Sequence, residues 1–170
     1  MTAPLLEIRD LSISFAGTQV VDRLSLRIER GETLGLVGES GCGKSVTSLA
    51  VMGLLPRKGC RMEGSIALDG RELTTLGPEE WRKVRGGRVA MVFQDPMTAL
   101  DPLMTVGGHL AEVLSVHAGL SGAALRSEAE SWLARVGIPD PSARLKAWPH
   151  ELPGGMRQRV LIAMALAGRP

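Results

Sequence analysis

The chain has 170 residues, a formal net charge of +2 and 44% hydrophobic residues. That length and apolar content allow one domain, or one domain with a lobe, around a sizeable core, and the near-neutral charge argues against a generic nucleic-acid binder, a local basic patch aside. No stretch approaches 18 consecutive apolar residues, and MTAPLLEIRD lacks the basic region and apolar core of a signal peptide. Cys42 and Cys60 have no metal-ligand spacing and read as free thiols in a reducing cytoplasm.

Leu5 to Phe15 (LLEIRDLSISF) alternates apolar and polar residues, with a shift at Asp10 that predicts a bulged strand. Ala16 to Gln19 is a turn. Leu24, Leu26 and Ile28 alternate with Ser25, Arg27 and Glu29, as in a half-exposed second strand. Arg30-Gly31-Glu32 then turns the chain into Thr33 to Val37 (TLGLV), a short apolar run that predicts a buried strand.

Gly38-Glu39-Ser40-Gly41-Cys42-Gly43-Lys44-Ser45 follows and matches the phosphate-loop pattern G-x-x-x-x-G-K-[ST] at every fixed position. Val46 to Leu55 after it predicts a helix, so the loop stands in the strand–loop–helix context that the mechanism requires. Gly38, Gly41 and Gly43 allow a tight turn with inward N–H groups. With the positive end of the helix dipole, those groups make a site for phosphate. Lys44 would reach the terminal phosphates, and the Ser45 hydroxyl would ligate Mg²⁺. The alternative is a glycine-rich turn without a ligand.

Pro56 to Cys60 reads as a break. Gly64 to Leu68 predicts a strand ending in the turn Asp69-Gly70. Pro78 to Val84 opens with proline and two acids, as a helix start prefers, and Arg85-Gly86-Gly87 ends it. Val89 to Phe93 (VAMVF) predicts a buried parallel strand, with Gln94-Asp95-Pro96 at its C-terminal end, where open α/β sheets hold ligands.

From Met97 to about Pro149 the texture is helical: Val106 to Ala118, Ser121 to Val136, and a short turn near Pro141 to Leu145. Ser121 is a plausible N-cap and Gly137 a plausible C-cap. Leu125, Ala129, Trp132, Leu133 and Val136 share one face. Leu152-Pro153-Gly154-Gly155 leads into a last helix, Met156 to Ala167. Arg157-Gln158-Arg159 reads as a solvated helix face, and His150 as structural, since no other ligand clusters with it.

The phosphate loop, Gln94 after an apolar run, the helical insert and Leu152-Pro-Gly-Gly-Met-Arg-Gln-Arg159 together resemble the ATP-binding subunit of an ABC transporter over almost the whole chain. Gly38 to Val46, Val92 to Leu103 and Pro149 to Arg159 are similar to the oligopeptide, dipeptide and nickel import branch. Ser45 to Leu55 looks like the first of its two paired ATPase subunits. The implied fold is an α/β P-loop NTPase of ABC type, an antiparallel β layer plus a RecA-like parallel sheet core with an α-helical insert. The implied division is 1–96 for the β layer and nucleotide-binding core, 97–153 for the helical subdomain, and 154–170 for a signature helix returning to the core.

The resemblance implies ATP and Mg²⁺ as cofactors, held by Gly38, Glu39, Ser40, Gly41, Cys42, Gly43, Lys44, Ser45 and Val46. Phe15 would stack on adenine, its plain alternative being a core residue at a strand end. Lys44 and Gln94 would be catalytic, Gln94 orienting the attacking water and sharing Mg²⁺ with Ser45. Pro153, Gly154, Gly155 and Gln158 would contact ATP held by a second ATP-binding subunit, in a homo- or heterodimer. Two membrane-spanning permease subunits are implied, touched by Asp95 to Met104, and indirectly an extracytoplasmic solute-binding protein. The place implied is the cytoplasmic face of the cell membrane, and the process is uptake of peptides or a related small solute.

Three departures stand out. Pro153 replaces the usual signature serine and removes both a hydroxyl and an N–H, which predicts a weakened contact to the partner's ATP. Asp101 replaces the usual asparagine. The family's next strand, with its Asp-Glu pair, followed by the D-loop and switch histidine, lies beyond Pro170. The expectation is therefore a fragment lacking the metal-binding acid, the catalytic base and a central strand, with apolar surface exposed. The competing readings are a non-catalytic nucleotide-binding fragment and a soluble ABC-type ATPase of translation or DNA repair. A P-loop kinase or GTPase would leave Pro153-Gly154-Gly155 unexplained.

Overall fold

The computed structural model describes residues 4–93 and 99–170. By its internal packing the chain divides into two compact units, one up to Trp81 and one from Arg82.

The first unit is built on a four-stranded antiparallel sheet of order β2-β1-β3-β4. Strand β1 is Leu6–Phe15, β2 Thr18–Ile28, β3 Cys60–Leu68 and β4 Arg71–Glu72. The expected shift at Asp10 is present: the β1–β2 register slips between Ile8 and Leu11, and Asp10 has φ 46°. On the central strand Ile8 pairs with Leu26 on one side and Ile66 on the other. Ile8, Leu11, Ile13 and Ile66 are buried, each contributing about 1.5–3 kcal/mol of transfer free energy. Strand β2 begins earlier than the alternation predicts, and β3 includes residues read as the end of a break. In both cases pairing with β1 supplies the order that the local pattern lacks. Asp69-Gly70 makes the predicted hairpin turn into β4.

Two carboxylates lock this sheet. Glu7 is buried and ion-paired to Arg9 and to its cross-strand partner Arg27. The Arg9 guanidinium, more than Arg27, holds its carboxyl below the usual glutamate range. Glu72 Oε1 accepts from Thr74 Oγ1 at 2.7 Å, Thr74 N at 3.0 Å and Ile66 N at 3.1 Å. Burial pushes the Glu72 carboxyl up, but these donors outweigh it and hold it low.

Helix α1, Lys44–Val51, follows the glycine loop and lies against β2. Helix α2, Pro78–Val84, has the predicted bounds, with Glu79 and Glu80 in its first turn.

The second unit is helical: α3 Val106–Ala118, α4 Gly122–Arg135, α5 Pro141–Arg144, a 3-10 turn Pro149–Glu151, and α6 Gly154–Ala167. Its core interleaves Val106, Leu110 and Leu114 of α3 with Ala129 and Leu133 of α4 and Val160 and Ala163 of α6. The predicted α4 face is correct. Ala129, Trp132 and Leu133 are buried, and Leu125 and Val136 pack partly buried against that core. Ser121 holds the N-cap position with extended backbone, but its hydroxyl makes no cap bond. Thr105, not singled out in the sequence, does cap α3, its Oγ1 accepting from Gly108 N at 3.2 Å.

Two expected strands do not form. Residues 33–37 join no sheet, with Leu34 and Leu36 each 43% and Val37 93% exposed. In 89–93 only Val89 makes a bridge, parallel to Arg85, and Val92 and Phe93 are exposed. Continuous apolar runs mark strands that are covered on both faces and paired on both edges. Among the described residues no neighbouring strand supplies those edges, and the runs lie exposed. No helix among the described residues is long and apolar enough to cross a membrane.

Candidate functional site

The glycine loop closes on its own lysine. Lys44 Nζ donates to the carbonyls of Gly38 and Glu39, each at 2.6 Å, and lies 3.3 Å from Cys42 Sγ. Gly41 and Gly43 have φ of 84° and 90°, values that L side chains adopt only under strain. At Gly43 the need is also steric. A Cβ there would stand 2.8 Å from the Val20 carbonyl oxygen and 2.9 Å from Val21 Cγ2, so only glycine lets the loop seat on β2. Thr47 ties the first turn of α1 to the loop, its N and Oγ1 both donating to the Gly43 carbonyl, at 2.8 and 3.0 Å.

The three donors of the Lys44 ammonium are therefore aimed at two neutral carbonyls and a thiol. An anionic oxygen is the stronger acceptor, so a phosphate entering the loop can take this ammonium from them. Ser45, at the first turn of α1, is exposed, and its hydroxyl has no partner among the described residues. It is free to ligate a cation. No cluster of three or more His, Cys, Asp or Glu side chains suited to a metal occurs among the described residues, so a cation here would draw on hydroxyl and phosphate oxygens. The structure thus brings Gly38, Glu39, Cys42 and Lys44 together, and the donors gathered there are of the kind that suits a phosphate oxygen.

Phe15 stands half-buried at the end of β1, paired in register with Thr18 and Cys60. Gln94, with Asp95 to Thr98, lies outside the described residues.

In the second unit Pro153 is the N-cap of α6, with φ −56° and ψ 151°. Its carbonyl accepts from Met156 N at 2.9 Å and Arg157 N at 3.1 Å. The amides of Gly154 and Gly155 fall in the first helical turn, where no preceding carbonyl can pair with them. Both glycines are exposed, and a Cβ on either would meet nothing within 4 Å. Nothing inside this unit requires them to be small. Gln158 is half-buried on the next turn.

The basic run beside them is not a merely solvated face. Arg157 Nε donates to the Pro149 carbonyl at 2.7 Å, and Arg159 Nη1 to the Gly137 carbonyl at 2.7 Å. Such long-range bonds from a helix to distant loop carbonyls leave no local sequence signal. Among the described residues His150 lends only its backbone carbonyl, to Arg157 at 3.4 Å. His109, not anticipated from the sequence, is buried on α3 with Nε2 donating to the Asp101 carbonyl at 3.2 Å. The Asp101 carboxylate accepts from Leu103 N at 2.9 Å, a bond that an asparagine oxygen would also make.

A family described as ABC transporter matches residues 21–170. The chain is 48% identical over 171 residues to the dipeptide transport ATP-binding protein DppD of Bacillus subtilis, covering 98% of this chain and 51% of that protein. It is 47% identical to the oligopeptide transport ATP-binding protein OppD of the same organism, covering 98% and 48%. It is also 47% identical to the peptidoglycan transport ATP-binding protein YejF of Agrobacterium fabrum, covering 99% and 32%. The chain thus spans about half or less of the length of these relatives. Among solved structures, a dimeric bacterial ABC transporter cassette superposes with a TM-score of 0.83 at 26% identity, covering 97% of this chain and 70% of that one.

Proposed function

The chain belongs to the ABC transporter family, and on that basis we propose that it is the nucleotide-binding part of a peptide-type importer subunit. Binding and hydrolysis of ATP would be coupled to uptake of peptides or a related small solute. The observation that carries this reading is the glycine loop closed around Lys44 at the start of α1. The 45–48% identity to peptide-transport ATP-binding proteins supports the substrate class.

In this reading the amides of Gly41 to Lys44 and the Lys44 ammonium hold the phosphates. Gly38, Glu39, Ser40 and Val46 complete the wall of the loop, and Phe15 takes the adenine. Ser45 and Gln94 hold Mg²⁺, and Gln94 orients the attacking water. ATP supplies the phosphoanhydride bond, while this chain binds and positions it. Pro153, Gly154, Gly155 and Gln158 face the ATP of a second ATP-binding subunit. The openness around the two glycines and their unpaired amides support that role, since an anion can approach the backbone closely there. The division into 1–96, 97–153 and 154–170 belongs to the same proposal. So do the two permease subunits, touched by residues 95–104, the solute-binding protein and the cytoplasmic membrane face.

The test is titration of a fluorescent ATP analogue into the chain and its Lys44→Met variant, with and without Mg²⁺. Saturable Mg²⁺-dependent binding that falls about tenfold or more in the variant is expected from loss of a charge-assisted contact. Equal binding by both would reject the site. Uptake of a radiolabelled dipeptide by cells carrying the full-length subunit then tests the substrate class.

A further inference from the structure

Phe15 does not stand alone at the end of β1. It pairs with Thr18 of β2 on one side and with Cys60 of β3 on the other. Residues directly opposite in an antiparallel pair project to one face, with Cβ atoms about 4.5–5.5 Å apart. Thr18, Phe15 and Cys60 therefore form a row across the sheet. Phe15 and Cys60 are half-buried and Thr18 is exposed. The hairpin tip is tied to the start of β3, Ala16 N donating to the Gly59 carbonyl at 3.0 Å, and this fixes the Cys60 end of the row.

The glycine loop sits on the same face. Ile13 is two residues before Phe15, so both side chains leave β1 on one side, and Ile13 pairs with Val21. Val21 is the side chain under Gly43, its Cγ2 2.9 Å from where a Cβ on that glycine would lie. The register slip in this part of the β1–β2 pair shortens the path along β2 from Val21 to Thr18, which at the rise of a strand is at most about 10 Å. The row thus stands beside the loop at a separation comparable to that between the base of a nucleotide and its outer phosphates.

The charged neighbours face away. Arg61 is ion-paired to Glu63 at 2.7 Å and lies opposite Ser14, whose side chain leaves β1 on the other face from Phe15. What remains on the row is a ring, a hydroxyl and a thiol. Such an uncharged strip suits the flat face of a heterocycle and gives a phosphate nothing to bind.

We propose that Thr18 and Cys60 complete the base subsite, bordering on either side a base stacked on Phe15, so that the base and not the phosphates covers the Cys60 thiol. This rests on the nucleotide site proposed above and extends it to two residues of β2 and β3. The two free cysteines then report on the two ends of one ligand, Cys42 on the phosphates and Cys60 on the base.

The test is pulsed alkylation of the wild-type chain with N-ethylmaleimide, each thiol being read separately by peptide mass spectrometry. The probes are a non-hydrolysable ATP analogue and inorganic tripolyphosphate, each with Mg²⁺ and at about ten times its Kd, where full shielding slows a thiol about tenfold by mass action. The analogue should slow both thiols, and tripolyphosphate Cys42 only. In Phe15→Leu, tripolyphosphate should still slow Cys42, while the same concentration of analogue should slow Cys60 less than in the wild type. An analogue that slows Cys42 and leaves Cys60 unchanged would overturn the row and leave the phosphate site standing. Equal slowing of Cys60 by tripolyphosphate would also overturn it, since no base is then present to cover the thiol. So would a Cys60 that does not react in the ligand-free chain, because the row must be open before a base arrives. If neither probe slows either thiol, the nucleotide site itself fails and the row with it.

Discussion

Arg159, on α6, caps a helix that is not its own. Its Nη1 donates to the Gly137 carbonyl at 2.7 Å and the Val136 carbonyl at 3.3 Å, at the C-terminal end of α4. A cation there meets both the unpaired carbonyls and the negative end of the helix dipole. Arg159→Met keeps most of the aliphatic stem and removes the bonds. Because the side chain is exposed, the expected cost is about 1 kcal/mol, read as a lower urea midpoint with unchanged slope.

Gly155→Ala separates a role inside the chain from a role outside it. A Cβ there meets nothing within 4 Å, and alanine is the better helix former by about 1 kcal/mol. Thermal stability should hold or rise. If the glycine amides approach the ATP of a second subunit, nucleotide-dependent dimerisation and ATPase activity of the full-length assembly should fall. Unchanged turnover would show that the glycines have no such role.

Gly43→Ala should act on the loop itself. The new Cβ would crowd Val20 and Val21 of β2 at a residue whose φ is 90°, and strain of this kind costs about 1–3 kcal/mol. ATP-analogue affinity should be lost together with some stability, whereas Lys44→Met should lose affinity alone. Calorimetry and nucleotide titration on the two variants make the comparison.

Pro153→Ser restores a hydroxyl and an N–H at the N-cap of α6. The backbone there, φ −56° and ψ 151°, accommodates serine, a favoured N-cap residue worth about 1 kcal/mol over a non-capping one. The expected outcome is a higher ATPase rate in the full-length subunit. No gain would sink the idea that proline weakens the contact to the partner's nucleotide.

Acid should weaken the β sheet first. Glu7 and Glu72 both have folded-state pKa values lowered from the ordinary value of 4.5. A depressed carboxyl contributes stability that is present above its unfolded pKa and is lost as pH falls through the folded value. The urea midpoint of the wild type should therefore be flat above about pH 5 and decline below pH 4.5. Glu72→Gln should be less stable than wild type at pH 7, with the gap closing as acid protonates Glu72.

The phosphate loop was legible because its fixed positions lie within eight consecutive residues, and their geometry is a property of the local chain. Helix α2 was legible for the same reason, through its end residues, and helix α4 through its apolar spacing. Glu72 as acceptor of three hydrogen bonds, Arg159 as a cap and His109 as a brace for Asp101 were not. Each depends on which carbonyl or amide from elsewhere the fold delivers to the side chain.

The sequence by itself determined the loop chemistry, the antiparallel hairpin with its bulge at Asp10 and the helical insert, because short-range periodicity and glycine placement decide these. Tertiary structure alone decided the fate of the apolar runs. Residues 6–15 became a buried central strand because β2 and β3 pair with both edges. Residues 33–37 and 89–93, at least as apolar, joined no sheet because no strand among the described residues flanks them. A strand is defined by its neighbours' hydrogen bonds, and those lie far along the chain.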